Sequence, residues 1–256
     1  MKLALECPTN MLSAIQPLAD FDFALTHLVL SDKEYAEYYR NSTRFKILDN
    51  STNENLKPCS LDDIKAAAEI IQPDLIVAPD YLVNHFATEV ALEECLKIWP
   101  GDRILPVVQG LDLSHVVECA MFIETLGFWK KIAVPYDITC SHDAPLTDMA
   151  TARKKVVQIL TGAEFVFDVH LLGLTTLEEV SSYSNNLSVV SIDTGSPVLH
   201  GSEGKWFGRD PLLPKSQPTM NRMRDNQDLS GEYPEINYET VYYNIAYLRK
   251  VCKGEV

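Results

Sequence analysis

The chain has 256 residues, 46% hydrophobic and 23% charged, with a formal charge of −14. That is room for one large α/β domain with a full core, and no apolar run reaches the ~18 residues a membrane span needs. The opening MKLALECPTN is too short and too polar for a signal-peptide core, so the expected compartment is the cytoplasm and no membrane partner is expected.

Short β-branched or apolar runs recur along the chain at 2–7, 24–30, 45–50, 74–80, 103–110, 131–137, 166–173 and 188–195. Continuous rather than alternating hydrophobicity suits parallel strands buried on both faces. Amphipathic segments lie between them. After Gly110, the residues Leu113, Val116, Val117, Ala120 and Met121 recur at helical spacing. Ser60 with Asp63, and Thr176 with Glu179, read as helix-opening caps. Strands alternating with helices predict an α/β fold of the (β/α)8 TIM-barrel kind, a single domain over 1–256. No GxGxxG or GxxxxGK sequence supports a dinucleotide or P-loop alternative.

After Gly195 the pattern changes. Residues 196–237, rich in Pro, Gly, Asn and Asp, read as a long loop or insertion, and 238–252 as a closing helix. Between Ser196 and Arg224, Lys205, Arg209, Lys215, Arg222 and Arg224 stand against only Glu203 and Asp210, a basic island in an acidic chain. It is a candidate nucleic-acid contact, with a solvated loop as the plainer alternative.

In a barrel the site lies at the carboxyl ends of the strands. The polar residues ending these runs are Asp49, Asp80, Gln109-Gly110, Tyr136-Asp137 and Asp193. One Asp after a strand is an ordinary cap, but several on one rim repel each other unless a ligand uses them. The six cysteines (Cys7, Cys59, Cys95, Cys119, Cys140, Cys252) form no CxxC, and there is no HxH, HExxH or GxSxG, so neither metal, cofactor nor serine nucleophile is expected. Carboxylates without a metal suit displacement at an anomeric carbon, where one attacks and another handles the leaving-group proton. A Gln beside an Asp suits a purine edge, the carboxylate accepting from N1–H and the 2-amino group. His170, inside a strand run, reads as a core histidine.

Six segments in collinear order, FKILDNSTNE, DLIVAPDYLVNHFATEVALEECLKIW, LPVVQGLDLSHVVECAMFIETLGF, IAVPYD, HLLGLTTLEEV and SIDTGSPVLHG, resemble the tRNA-guanine transglycosylase family over roughly residues 45–200. The resemblance implies Asp193 as nucleophile and Asp49 as proton carrier. It implies that Asp80, Gln109, Gly110 and the Tyr136 backbone N–H hold the base edge while Leu172 and Gly173 pack on its face. The family's CxCxxC…His zinc motif is missing, Pro135-Tyr136 replaces a glycine pair, and Asn53 replaces a stacking aromatic. These departures resemble the trimmed, phage-associated branch that inserts 7-deazaguanines into DNA. The implied partners are therefore DNA more than tRNA and a free 7-deazaguanine base such as 7-cyano-7-deazaguanine; the sequence leaves the oligomeric state open. The alternatives are the same exchange on tRNA, a hydrolytic N-glycosidase and an inactive nucleic-acid-binding barrel.

Overall fold

A computed structural model describes residues 1–127, 130–140, 144–162, 165–212 and 237–256. The chain alternates strands and helices: β1 (Lys2–Leu5), α1 (Leu12–Ile15), β2 (Asp22–Leu25), α2 (Thr26–Ser31), α3 (Lys33–Asn41), β3 (Lys46–Asp49), α4 (Thr52–Asn55) and α5 (Leu61–Ile71). It continues through β4 (Leu75–Val77), α6 (His85–Leu96), β5 (Ile104–Leu105), α7 (Leu113–Thr125), β6 (Lys131–Pro135) and α8 (Leu146–Leu160). The last elements are β7 (Asp168–Leu172), α9 (Leu177–Ser181), β8 (Val189–Thr194), α10 (Ser196–Ser202) and α11 (Tyr238–Lys253).

All strand pairs are parallel, as the continuous apolar runs require. They form two four-stranded sheets, β1-β8-β7-β6 and β2-β3-β4-β5, rather than the single eight-stranded sheet expected. The physical reason is visible at each seam. Pro106 has no N–H to donate and ends β5 after two residues; only a short bridge remains, Ala133 N–H donating to Pro106 O (2.8 Å) and Val108 N–H to Ala133 O (3.0 Å). At the other seam the Leu3 N–H donates to the Asp20 carboxylate (2.8 Å) instead of a backbone carbonyl, while Asp20 N–H donates to Leu3 O (2.7 Å).

Three local expectations change. The run 24–30 is not one strand: β2 covers Asp22–Leu25, and the chain turns at Thr26 into α2. An apolar run carries no period by which to separate strand from helix, and the Thr26 hydroxyl, donating to Asp49 O (2.5 Å), fixes the turn. In α7 the buried face is Val116, Cys119, Ala120 and Ile123, whereas Leu113 and Met121 are exposed. The first part of the expected loop, 196–202, is helical; Pro197 in the first turn suits a helix start. Helix α10 packs so closely on α11 that a Cβ on Gly201 would lie 2.5 Å from Val241 Cα. Asn244 locks the pair, accepting from Phe207 N–H and donating to Lys205 O, both at 2.8 Å.

The caps at Ser60 and Thr176 form, accepting from Asp63 N–H and Glu179 N–H. Among the described residues no helix is long and apolar enough to cross a membrane.

Candidate active site

Six carboxyl groups converge on one cavity at the carboxyl ends of the strands: Glu6, Asp49, Glu54, Asp80, Asp137 and Asp193. The walls are Phe23, Leu25, Leu82, Tyr136, Leu172 and Gly173, and no Lys or Arg lines it among the described residues. Five of the six follow or end a strand, and Glu54 sits in the short helix α4. Glu6 follows β1, Asp49 ends β3, Asp137 follows β6 and Asp193 lies near the end of β8, where it is paired in register with Ala4 and Leu172.

The backbone here is strained. Ser51, Val83 and Thr139, in the loops after β3, β4 and β6, have φ of 62°, 52° and 60°. A β-branched residue in the left-handed region is an outlier, and such strain concentrates where a site over-determines the chain. At Ser51 the compensation is explicit: its N–H donates to Asp49 Oδ2 at 2.6 Å.

Asp80 is clamped. Asn50 Nδ2 donates to its Oδ1 (2.8 Å) and Gln109 Nε2 to its Oδ2 (2.5 Å), so the carboxylate plane is fixed and each oxygen keeps a lone pair for a further donor. Asn50 in turn accepts from Thr52 N–H and donates to Ala78 O. Gln109 spends its carbonyl on Val83 N–H (3.1 Å). Gln109 and Gly110 do not line the cavity; Gln109 stands behind Asp80 as its support. Gly110 serves helix packing, because a Cβ there would lie 2.6 Å from Val116 N.

Asp193 is held from below. His170 is buried in β7, its Nε2 3.0 Å from Asp193 Oδ1 and its Nδ1 2.8 Å from Ser191 Oγ, between the rings of Phe21 and Phe23. A neutral imidazole protonated on Nε2 satisfies both bonds, accepting from Ser191 and donating to Asp193. His170 is thus a core residue with a partner in the cavity, which the strand pattern alone does not reveal.

Burial raises the pKa of Asp49 well above the usual carboxylate range, and the negative charges of Glu54 and Asp193 push it further. Glu6 is raised likewise, by burial first and then by Asp193, to which it is hydrogen-bonded. Burial raises Asp80 too, and the Gln109 and Asn50 amides pull it part of the way back. Glu6, Glu54 and Asn50 were not singled out from the sequence. Glu6 follows the first strand as Asp49 ends the third, so position relative to the strand was the available signal.

The Tyr136 hydroxyl donates to Asn53 Oδ1 (2.7 Å), and Asn53 Nδ2 donates to Glu54 Oε1 (2.9 Å). This places a phenol ring in the wall beside Gly173, whose φ of 73° and close approach to Tyr136 Cδ1 (3.0 Å from an added Cβ) disfavour a side chain there.

Lys205 and Arg209 are exposed beyond α10, Arg209 lying over the Trp206 and Tyr243 rings at 5.0 and 5.3 Å. Lys215, Arg222 and Arg224 fall outside the described residues. Neither the protein-family models nor the curated proteins compared with this sequence give a match.

Proposed function

We propose that this chain is a guanine transglycosylase that exchanges a guanine of DNA for a free 7-deazaguanine in the cytoplasm, in a barrel closed by the two seams between its sheets. The observation that carries the reading is the convergence of Asp49, Asp80 and Asp193, held by three different devices, in one cavity with aromatic and aliphatic walls and, among the described residues, no lining cation. Such a cavity favours a ligand that brings hydrogen-bond donors and a flat apolar face, and a guanine does both.

In the first half-reaction the target nucleotide, flipped from the stack, presents C1′ to Asp193. The carboxylate attacks C1′, the C1′–N9 bond breaks with its electron pair passing to the purine, and a glycosyl ester forms. His170 donates to Oδ1 and fixes the orientation of the attacking carboxylate. Asp49, whose proton is held more tightly because burial and neighbouring negative charge raise its pKa, delivers the proton the departing guanine needs. In the second half the deazaguanine returns its N9 proton to Asp49, N9 attacks C1′, and Asp193 is released. Asp80 accepts from N1–H and the 2-amino group, the Tyr136 backbone N–H serves O6, and the Tyr136 ring, Leu172 and Gly173 cover the face.

The experiment is trapping. Wild-type protein incubated with DNA and then denatured should carry a DNA adduct, and with labelled guanine it should move label into the DNA. Asp193→Asn should lose both, exchange falling by on the order of 10³-fold or more, while DNA binding survives. Label entering tRNA but not DNA would move the substrate. Release of guanine without incorporation would make the chain a hydrolase, and an adduct persisting in Asp193→Asn would make another carboxylate the nucleophile.

A further inference from the structure

Away from the cavity, the helices after β4 and β5 bring two histidines together. His85 is the first residue of α6 and His115 the third of α7, and their rings stack with centroids 4.6 Å apart and planes 21° apart. Glu118, one turn along α7, places Oε2 3.7 Å from His85 Nε2, and one donor atom from each of the three lies within 4.8 Å of the others. Glu89, one turn along α6 from His85, interacts electrostatically with both His85 and Glu118.

This spacing is too long for a hydrogen bond. It is close to what one ion imposes: ligands at the zinc–nitrogen distance of about 2.0–2.1 Å in a tetrahedron stand roughly 3.4 Å apart. A further carboxylate supports the arrangement. Asp112 caps α7, and its Oδ1 lies 3.2 Å from His115 Nδ1, outside hydrogen-bonding geometry. A carboxylate beside Nδ1 orients an imidazole to coordinate through Nε2. The negative charges of Glu89, Asp112 and Glu118 outweigh the positive N-terminal ends of the two helices, which by themselves would repel a cation.

We propose that His85, His115 and Glu118 form a binding site for a divalent transition-metal ion, with Zn2+ the best match to an imidazole–carboxylate donor set and Glu89 or water completing the shell. Glu118 and His115 are exposed enough to close the last ångström by side-chain rotation. The sequence conceals the site because its histidines belong to different helices, with none of the local spacings that signal a metal. The ion would act as a staple. Helix α6 starts just after Asp80 and α7 just after Gln109-Gly110, and those loops already meet where Val83 N–H donates to Gln109. The site does not depend on the transglycosylase reading.

The test is metal uptake by the full chain after chelation. Wild type should bind one equivalent of Zn2+ by calorimetry and gain thermal stability from it. Co2+ should give weak visible bands without the intense charge-transfer absorption of thiolates. His85→Ala and His115→Ala should each weaken binding at least about 100-fold, and Asp112→Asn, which keeps the helix cap, about tenfold. Glu118→Gln alters an exposed side chain, so its folding is safe if the histidine variants misfold, and it too should lose the equivalent. No stoichiometric uptake, uptake unchanged in Glu118→Gln, or thiolate bands with Co2+ would each overturn the proposal.

Discussion

Two buried clusters of ionisable groups in this molecule are built in opposite ways. Under α8, Arg153 and Glu179 form an ion pair (2.8 Å) with both side chains almost wholly buried, and Tyr183 and Thr175 donate to the remaining carboxylate positions. The guanidinium also donates to Leu172 O (3.1 Å) and Gly173 O (2.8 Å). Every charge there has a partner. At the cavity, Glu6, Asp49 and Asp193 stand together with no lining cation among the described residues, and burial and neighbouring charge raise the pKa of Glu6 and Asp49. A fold has no stability reason to assemble such a group, since like charges and burial both oppose it. The comparison separates a cluster that holds a wall from one whose poise suits a ligand, and the two meet at Leu172 and Gly173.

The largest effect expected from breaking this contrast lies on the satisfied side. Arg153→Met strands the Glu179 carboxylate in the core and should lower unfolding stability by about 3–5 kcal/mol in urea titration. Adding Glu179→Met should recover much of that loss, because an apolar pair of similar volume removes the uncompensated charge. Base exchange should stay depressed in the double variant, as the Leu172 and Gly173 carbonyls still lack their donor. Recovery of exchange together with stability would show that the pair only fills space.

The second effect separates the clusters by pH. A carboxyl whose folded pKa is raised binds its proton more tightly in the native state, so its contribution to stability is complete below the unfolded value, about 4, and is lost as pH rises through the folded value. Asp49 and Glu6 therefore make the wild type lose stability as pH rises above about 4. Asp49→Asn and Glu6→Gln should each flatten that loss, and the denaturation midpoint of each variant relative to wild type should improve as pH increases. Profiles parallel to wild type would mean that these carboxyls do not titrate in that window.

How much of this was readable beforehand follows from what each residue's role depends on. Burial on both faces left a run of apolar residues wherever a strand lies, so the alternating parallel architecture was legible, and so were Asp49, Asp80 and Asp193 at strand ends. What the pattern could not carry was tertiary. The turn of residues 26–31 into a helix depends on a hydroxyl reaching Asp49 O, the split into two sheets on Pro106 and the Asp20 side chain, and the His170–Asp193 bond on the register of β7 against β8. Gln109 was visible as a polar residue at a strand end, but its place behind Asp80 follows from the loop carrying Val83.

The smallest effect concerns the exposed cations Lys205 and Arg209 beyond α10. Lys205 and Arg209 differ in how they are held. Lys205 is exposed and anchored through its backbone by His200 and Asn244, whereas the Arg209 guanidinium lies over two aromatic rings, which orients it and leaves its edge toward solvent. If both neutralise phosphates, each alanine substitution should reduce the slope of log affinity against log salt by about one unit, with binding of the free base unchanged. Arg209→Lys should then retain the slope, since charge alone sets counterion release, but lose some affinity because the ammonium stacks less well. An unchanged slope in the double alanine variant would assign these side chains to packing and solvation of the α10–α11 corner, and polynucleotide contact would have to come from the cavity rim.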